Sequence, residues 1–151
     1  MPPAVGRLQV IGLKEAIHRI DEVGERARRP EPALRSPEVL FELQESERRK
    51  FSTGRFKPDT KAWVERKRRE GLSTRTMVAT GRAKAALENA TPPVRRTVFN
   101  SMLTWGIPPG RSDLYYLTVQ AHRGRRAVVI DRRSREGVAD RVQNFIAYGF
   151  I

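Results

Sequence analysis

FSTGRFKPDTKAWVERKRREGLSTRTMVATGRAKAAL, residues 51–87, is the stretch that organises the chain. It holds Phe51, a Thr-Gly-Arg turn at 53–55, Pro58-Asp59, Trp63, a basic run that ends at Gly71, and a second Thr-Gly-Arg turn at 80–82. Asp59 or Thr60 can cap a short helix over 60–70, and Gly71 suits the left-handed residue that closes it. Ala62 and Trp63 are the plainly apolar residues of that helix, so it must lean on the body through the indole. Trp63 and Phe51 therefore read as core anchors. The run Arg66, Lys67, Arg68 and Arg69 reads as a solvent face or an anion contact, with base stacking by the interleaved aromatics as the less favoured reading.

Outward from this stretch, Leu13, Ala16, Ile17, Ile20, Val23 and Ala27 recur at helical intervals and predict an amphipathic helix whose apolar face is buried. It should fail near Arg28-Arg29, ahead of Pro30 and Pro32. Ser36-Pro37-Glu38 opens a second helix through Phe51, with Val39, Leu40 and Leu43 as its buried stripe. Residues 7–13 suggest a strand, 82–90 a helix ended by Pro92-Pro93, and Val98–Trp105 one strand with Phe99, Leu103 and Trp105 on a shared face. LYYLTVQA at 114–121 fits either a helical turn or a strand, and AVVI at 127–130 a short buried strand. A last helix over about 135–148 takes Ser134 as its cap. Residues 1–6 read as a flexible tail, and 52–60 and 106–113 as loops. The expectation is one α+β domain over 1–151: a small antiparallel sheet packed with N-terminal helices and a C-terminal helix.

Composition bounds what such a domain does. Thirty Lys and Arg against 17 Asp and Glu give a formal charge of +13, which favours polyanionic partners. Charged residues reach 31% and hydrophobic ones 38%, consistent with a modest core and polar edges. There is no cysteine, hence no disulfide or thiolate chemistry. The two histidines, His18 and His122, lie far apart in sequence, and no metal-ligand spacing, phosphate loop or nucleophile elbow is present. The expectation is a non-enzyme without cofactor or metal. No apolar run is long enough to span a bilayer, and MPPAVGRLQV lacks the order of a secretory signal, which points to the cytosol as the place of synthesis.

The order Phe51, Gly54-Arg55, Asp59, Trp63, Lys67, Gly71, Thr80-Gly81-Arg82 and Leu87 resembles the central motif of the bacteriophage virion-morphogenesis family, the tail-completion proteins of the phage Mu type. Departures occur at 55–58 and in the later Tyr115-Tyr116 segment. The resemblance implies a structural protein of the head–tail neck, a tail-completion or tail-terminator ring, by analogy hexameric. Its partners would be its own copies, the tail-tube protein and the head connector, with transient contact to DNA and none to membrane. It implies subunit contacts in the loops and termini: Arg55, Phe56, Lys57, Tyr115, Tyr116, Phe150 and Ile151. The last two, following Gly149, either pack on a neighbour or fold back on their own subunit. The alternative reading is a non-specific nucleic-acid-binding protein acting through its Arg and Lys clusters.

Overall fold

The computed structural model describes residues 12–54, 56, 58–78, 80–108, 128 and 130–150. The fold is α+β: six helices and a two-stranded antiparallel sheet among the described residues. The strand expected at 7–13 lies mostly outside them, and its last residue, Leu13, opens helix α1 (Leu13–Arg28). Helix α1 stops before the buried Pro30. The two prolines that end it do not leave a coil. A one-turn helix, α2 (Glu31–Leu34), follows, because a proline in a first turn gives up only an amide that has no helical partner.

Helix α3 (Pro37–Thr53) begins as its sequence dictates, with the Val39 N–H donating to the Ser36 Oγ at 3.2 Å. It runs two residues further than the loop assignment of 52–60 allows. The Ser52 and Thr53 hydroxyls donate back to the Arg49 carbonyl at 3.0 and 2.8 Å, which extends the last turn as far as Gly54 at φ 60°. Helix α4 (Lys61–Arg69) is capped by Thr60, whose Oγ1 accepts from the Trp63 N–H at 3.3 Å, so Asp59 is left for another role. Its far end is a Schellman closure: the Leu72 N–H reaches the Lys67 carbonyl at 2.8 Å and the Gly71 N–H the Arg68 carbonyl at 3.2 Å, with Gly71 at φ 67°. Helix α5 (Arg82–Asn89) turns Ala83, Ala86 and Leu87 inward.

The single strand expected over Val98–Trp105 is a hairpin. β1 (Arg95–Phe99) pairs with β2 (Met102–Gly106) around Asn100-Ser101, with Asn100 at φ 51°. The two-residue turn inverts the facing of one arm. Val98 pairs with Leu103 and Arg96 with Trp105 on the inner face, while Phe99 pairs with Met102 on the outer one. Phe99 is therefore exposed instead of sharing a face with Leu103 and Trp105.

Helix α6 (Arg132–Tyr148) starts three residues earlier than expected. Asp131 is its cap, accepting from the Ser134 N–H at 2.8 Å, and Ser134 is fully buried in the first turn. Helix α3 is the hub of the core. Val39, Leu43 and Phe51 meet Met77, Val78, Ala86, Leu87, Val94 and Trp105. Leu103, Val128, Ile130 and Val138 pack around them. Arg55, Lys57, Tyr115, Tyr116, His122 and Ile151, with most of the 106–113 and 114–127 assignments, lie outside the described residues.

Candidate interaction surface

Helix α1 contributes nothing to the core. Its expected burial is overturned: Leu13, Ile17 and Ile20 are 53%, 50% and 69% exposed, and no residue of the helix is buried. Only Val23, Gly24 and Arg26, near its end, are partly covered. The grip there is polar. The Arg26 Nε donates to the Ile146 carbonyl at 2.9 Å and an Nη to Ala147 at 3.4 Å, so a guanidinium supplies the donors that the end of α6 lacks. Gly149 passes close to that guanidinium, where a Cβ would lie 3.2 Å from an Nη. The helical periodicity of α1 is as read, but its apolar face is uncovered at Leu13, Ile17 and Ile20, and only Val23 of that face is partly covered. Past Gly149, the rings of Tyr148 and Phe150 stack at 5.6 Å, both exposed, so Phe150 does not fold back into its own core. A second apolar patch, Phe99 with Met102, marks the hairpin tip.

Much of the positive charge is engaged inside the molecule. Arg48 donates to the Glu88 carbonyl at 3.1 Å, Arg75 to Phe51 at 3.2 Å, and Arg96 to both Ser36 and Arg35 at 2.7 Å. Each tethers an element to a helix end or a turn. Arg49 forks onto Asp131 at 2.9 and 3.2 Å and reaches the Ser134 Oγ at 2.6 Å, and that pairing holds the Asp131 carboxyl below its ordinary range. Burial pulls the Arg96 guanidinium down, and the neighbouring Arg35 adds to the effect.

On α4 the expected four-residue basic face divides. Arg66, Arg68 and Arg69 are exposed; Arg66 pairs with Glu70 at 2.7 Å and lies 5.5 Å from the Trp63 ring centroid. Lys67 is not on that face. Its ammonium is buried and donates to the Asp59 carboxylate at 3.0 Å and to the Arg75 and Val78 carbonyls at 2.8 and 3.3 Å. All three ammonium protons thus have acceptors. Lys67 does the anchoring that Trp63 was expected to do, and Trp63 stays half-buried outside the core cluster. Phe56 is partly internal: it packs on Phe51 at 5.4 Å with the Lys50 Nζ 5.3 Å from its ring centroid, so part of the ring belongs to its own subunit's core. Gly81, at φ 80°, lets the chain turn into α5, and the Thr80 Oγ1 accepts from the Arg82 N–H at 3.4 Å.

One residue that sequence reasoning passed over is Glu47. It is fully buried on α3, and neither carboxyl oxygen has a hydrogen-bond partner. The Trp105 indole N–H, also buried and unpartnered, approaches it without completing a hydrogen bond. Burial pushes the carboxyl up to about 7, against opposing pulls from Lys50 and Trp105 and with support from Asp131 and Glu88. The signal was available in the spacing: Val39, Leu43, Glu47 and Phe51 fall four apart on one helix face. Among the described residues no group of three or more His, Asp or Glu side chains is arranged to hold a metal ion, and no helix is long and apolar enough to cross a membrane. Compared with protein families, curated proteins and solved structures, the chain gives no match, so the surfaces above stand on their own geometry.

Proposed function

We propose that this chain is a structural protein of the neck of a tailed bacteriophage, a tail-completion or tail-terminator subunit. It forms a ring that ends the tail tube and joins it to the head connector, and it acts by contact alone. The observation that carries the reading is the uncovered apolar face of α1. Leu13, Ile17 and Ile20 project from a body that, among the described residues, holds the helix by its last turns. Burying a large aliphatic side chain is worth roughly 1.5–3 kcal/mol, and half of that is still unrealised at each of these positions. A short helix held at one end gains that stabilisation when a partner covers it. The second apolar patch, Phe99 and Met102 at the hairpin tip, suits a head-to-tail ring, which needs two different surfaces per subunit. The motif from Phe51 to Leu87 supports the neck assignment. Assembly would take place in the host cytoplasm and the protein would end in the virion. The test is native mass measurement of the purified protein, alone and mixed with tail-tube protein. A hexamer or a tube-bound ring is expected, and a strict monomer in both samples contradicts the reading.

A second reading, non-specific nucleic-acid binding, is favoured by one feature: Arg66, Arg68 and Arg69 stand exposed on α4 beside the half-buried Trp63. It predicts affinity for single- or double-stranded DNA that falls steeply with salt. Replacing the three arginines with alanine should flatten the salt dependence. Absence of binding at low salt removes this reading and leaves the first untouched.

A further inference from the structure

The seam between α3 and the hairpin contains a group that the assembly role does not use. The Glu47 carboxyl is sealed there with both oxygens unpartnered, beside the unpartnered Trp105 indole N–H. An ionised carboxylate buried without a donor is among the costliest groups a fold can hold, whereas the neutral acid is tolerated. The charged groups that act on it lie on three elements. Lys50 lies on the same helix, Glu88 on α5, and Asp131 at the cap of α6. The two acids oppose ionisation of Glu47. Lys50 and the Trp105 indole favour it, but burial, the largest influence, outweighs both, and it also pulls the Lys50 ammonium down.

We propose that Glu47 is a proton-operated latch for the hairpin: with the carboxyl neutral, Trp105 closes over α3, and loss of the proton to solvent opens the seam and loosens β1 and β2. The hairpin is also tethered directly across from Trp105, at its register partner Arg96, and near its tip, at Val98. Arg96 donates to the Ser36 and Arg35 carbonyls, and Arg35 donates to the Val98 carbonyl at 3.4 Å. These ties keep the hairpin attached when the seam opens, so what is lost is the packing of Trp105 on α3 and the protection of the strands around it. The sign follows from linkage. The folded-state value, about 7, lies above the ordinary 4.5, so the stabilisation is complete below about 4.5 and is lost as pH rises through about 7.

Amide hydrogen exchange of the hairpin, corrected for the intrinsic pH dependence of exchange, tests the latch. Between pH 5.5 and 8 the wild-type protection of 95–106 should fall about 30-fold, the one-proton linkage value, while Glu47→Gln should hold its protection constant. Wild-type protection that does not change with pH, or an equal fall in Glu47→Gln, overturns the proposal. Should the glutamine variant fail to fold, carbon-13 titration of the wild-type glutamate carboxyls decides instead. A carboxyl titrating near 7 that is absent from an unfolded control supports the latch, and all glutamates titrating near 4.5 overturns it. Neither measurement depends on the neck assignment.

Discussion

The Lys67 ammonium lies 3.0 Å from the Asp59 carboxylate, with the two side chains only 3% and 2% exposed. Both belong to the motif that organises the middle of the chain, and they explain why it needs an acid eight residues before a lysine. Asp59 precedes α4 and Lys67 sits in its last turns. The same ammonium ties down the Arg75 and Val78 carbonyls, so one cation fixes the entry to α4 and the connection toward α5. The motif is a structural clasp.

Breaking the clasp from one side should be far worse than removing it. Lys67→Met leaves the Asp59 carboxylate buried without its cation and should cost about 3–5 kcal/mol, whereas Lys67→Met with Asp59→Leu should recover much of that loss. Urea denaturation of the two variants beside the wild type measures the difference. Equal destabilisation by both would show that the pair contributes through its carbonyl bonds and not through charge.

What the sequence reveals of this fold divides along physical lines. Caps and stops depend on neighbours in sequence, so Ser36, Thr60, Gly54 and Gly71 were readable from local chemistry alone. Burial depends on partners distant in the chain. The periodicity of α1 is correct, yet pattern cannot reveal that Leu13, Ile17 and Ile20 stay uncovered. Lys67 looked like a fourth member of a basic run, because no local rule distinguishes a lysine whose acceptors arrive from residues 59, 75 and 78. The hairpin reads in sequence as one strand because Asn100-Ser101 is a weaker turn signal than a glycine pair.

That turn gives a second prediction. Asn100 holds φ 51°, a conformation that asparagine and glycine tolerate and β-branched residues resist. Asn100→Gly should be close to neutral, while Asn100→Val should cost about 1–2 kcal/mol. Thermal unfolding of the two variants decides, and equal melting temperatures would mean that the turn carries no strain for valine.

Asp131 sets the acid limit of its own region. Its carboxyl is held below 3.8, first by the hydrogen bond from Arg49, so its contribution is present above 3.8 and is lost as pH falls through the depressed folded value. The pair is partly exposed and screened, which limits its share to about 1 kcal/mol. Asp131→Asn keeps the cap but should remove that part of the acid-limb slope in a pH series of unfolding midpoints, whereas an unchanged slope would assign acid sensitivity to other carboxyls. This window lies well below that of Glu47, so the two effects separate in one pH series.

The uncovered face of α1 predicts variants that affect assembly and not folding. Because Ile17 and Ile20 meet no core residue, Ile17→Glu and Ile20→Glu should change folding stability by no more than about 0.5 kcal/mol. A large drop in melting temperature for the monomeric variant would show instead that α1 is held by its own subunit.

The most direct test of the account is therefore the mass of the native protein, measured with and without tail-tube protein, for the wild type and for Ile17→Glu/Ile20→Glu. The account predicts a wild-type ring or tube-bound assembly that the double variant cannot form while its unfolding curve stays in place. A wild type that remains monomeric in both samples, or a double variant that assembles as the wild type does, would contradict it.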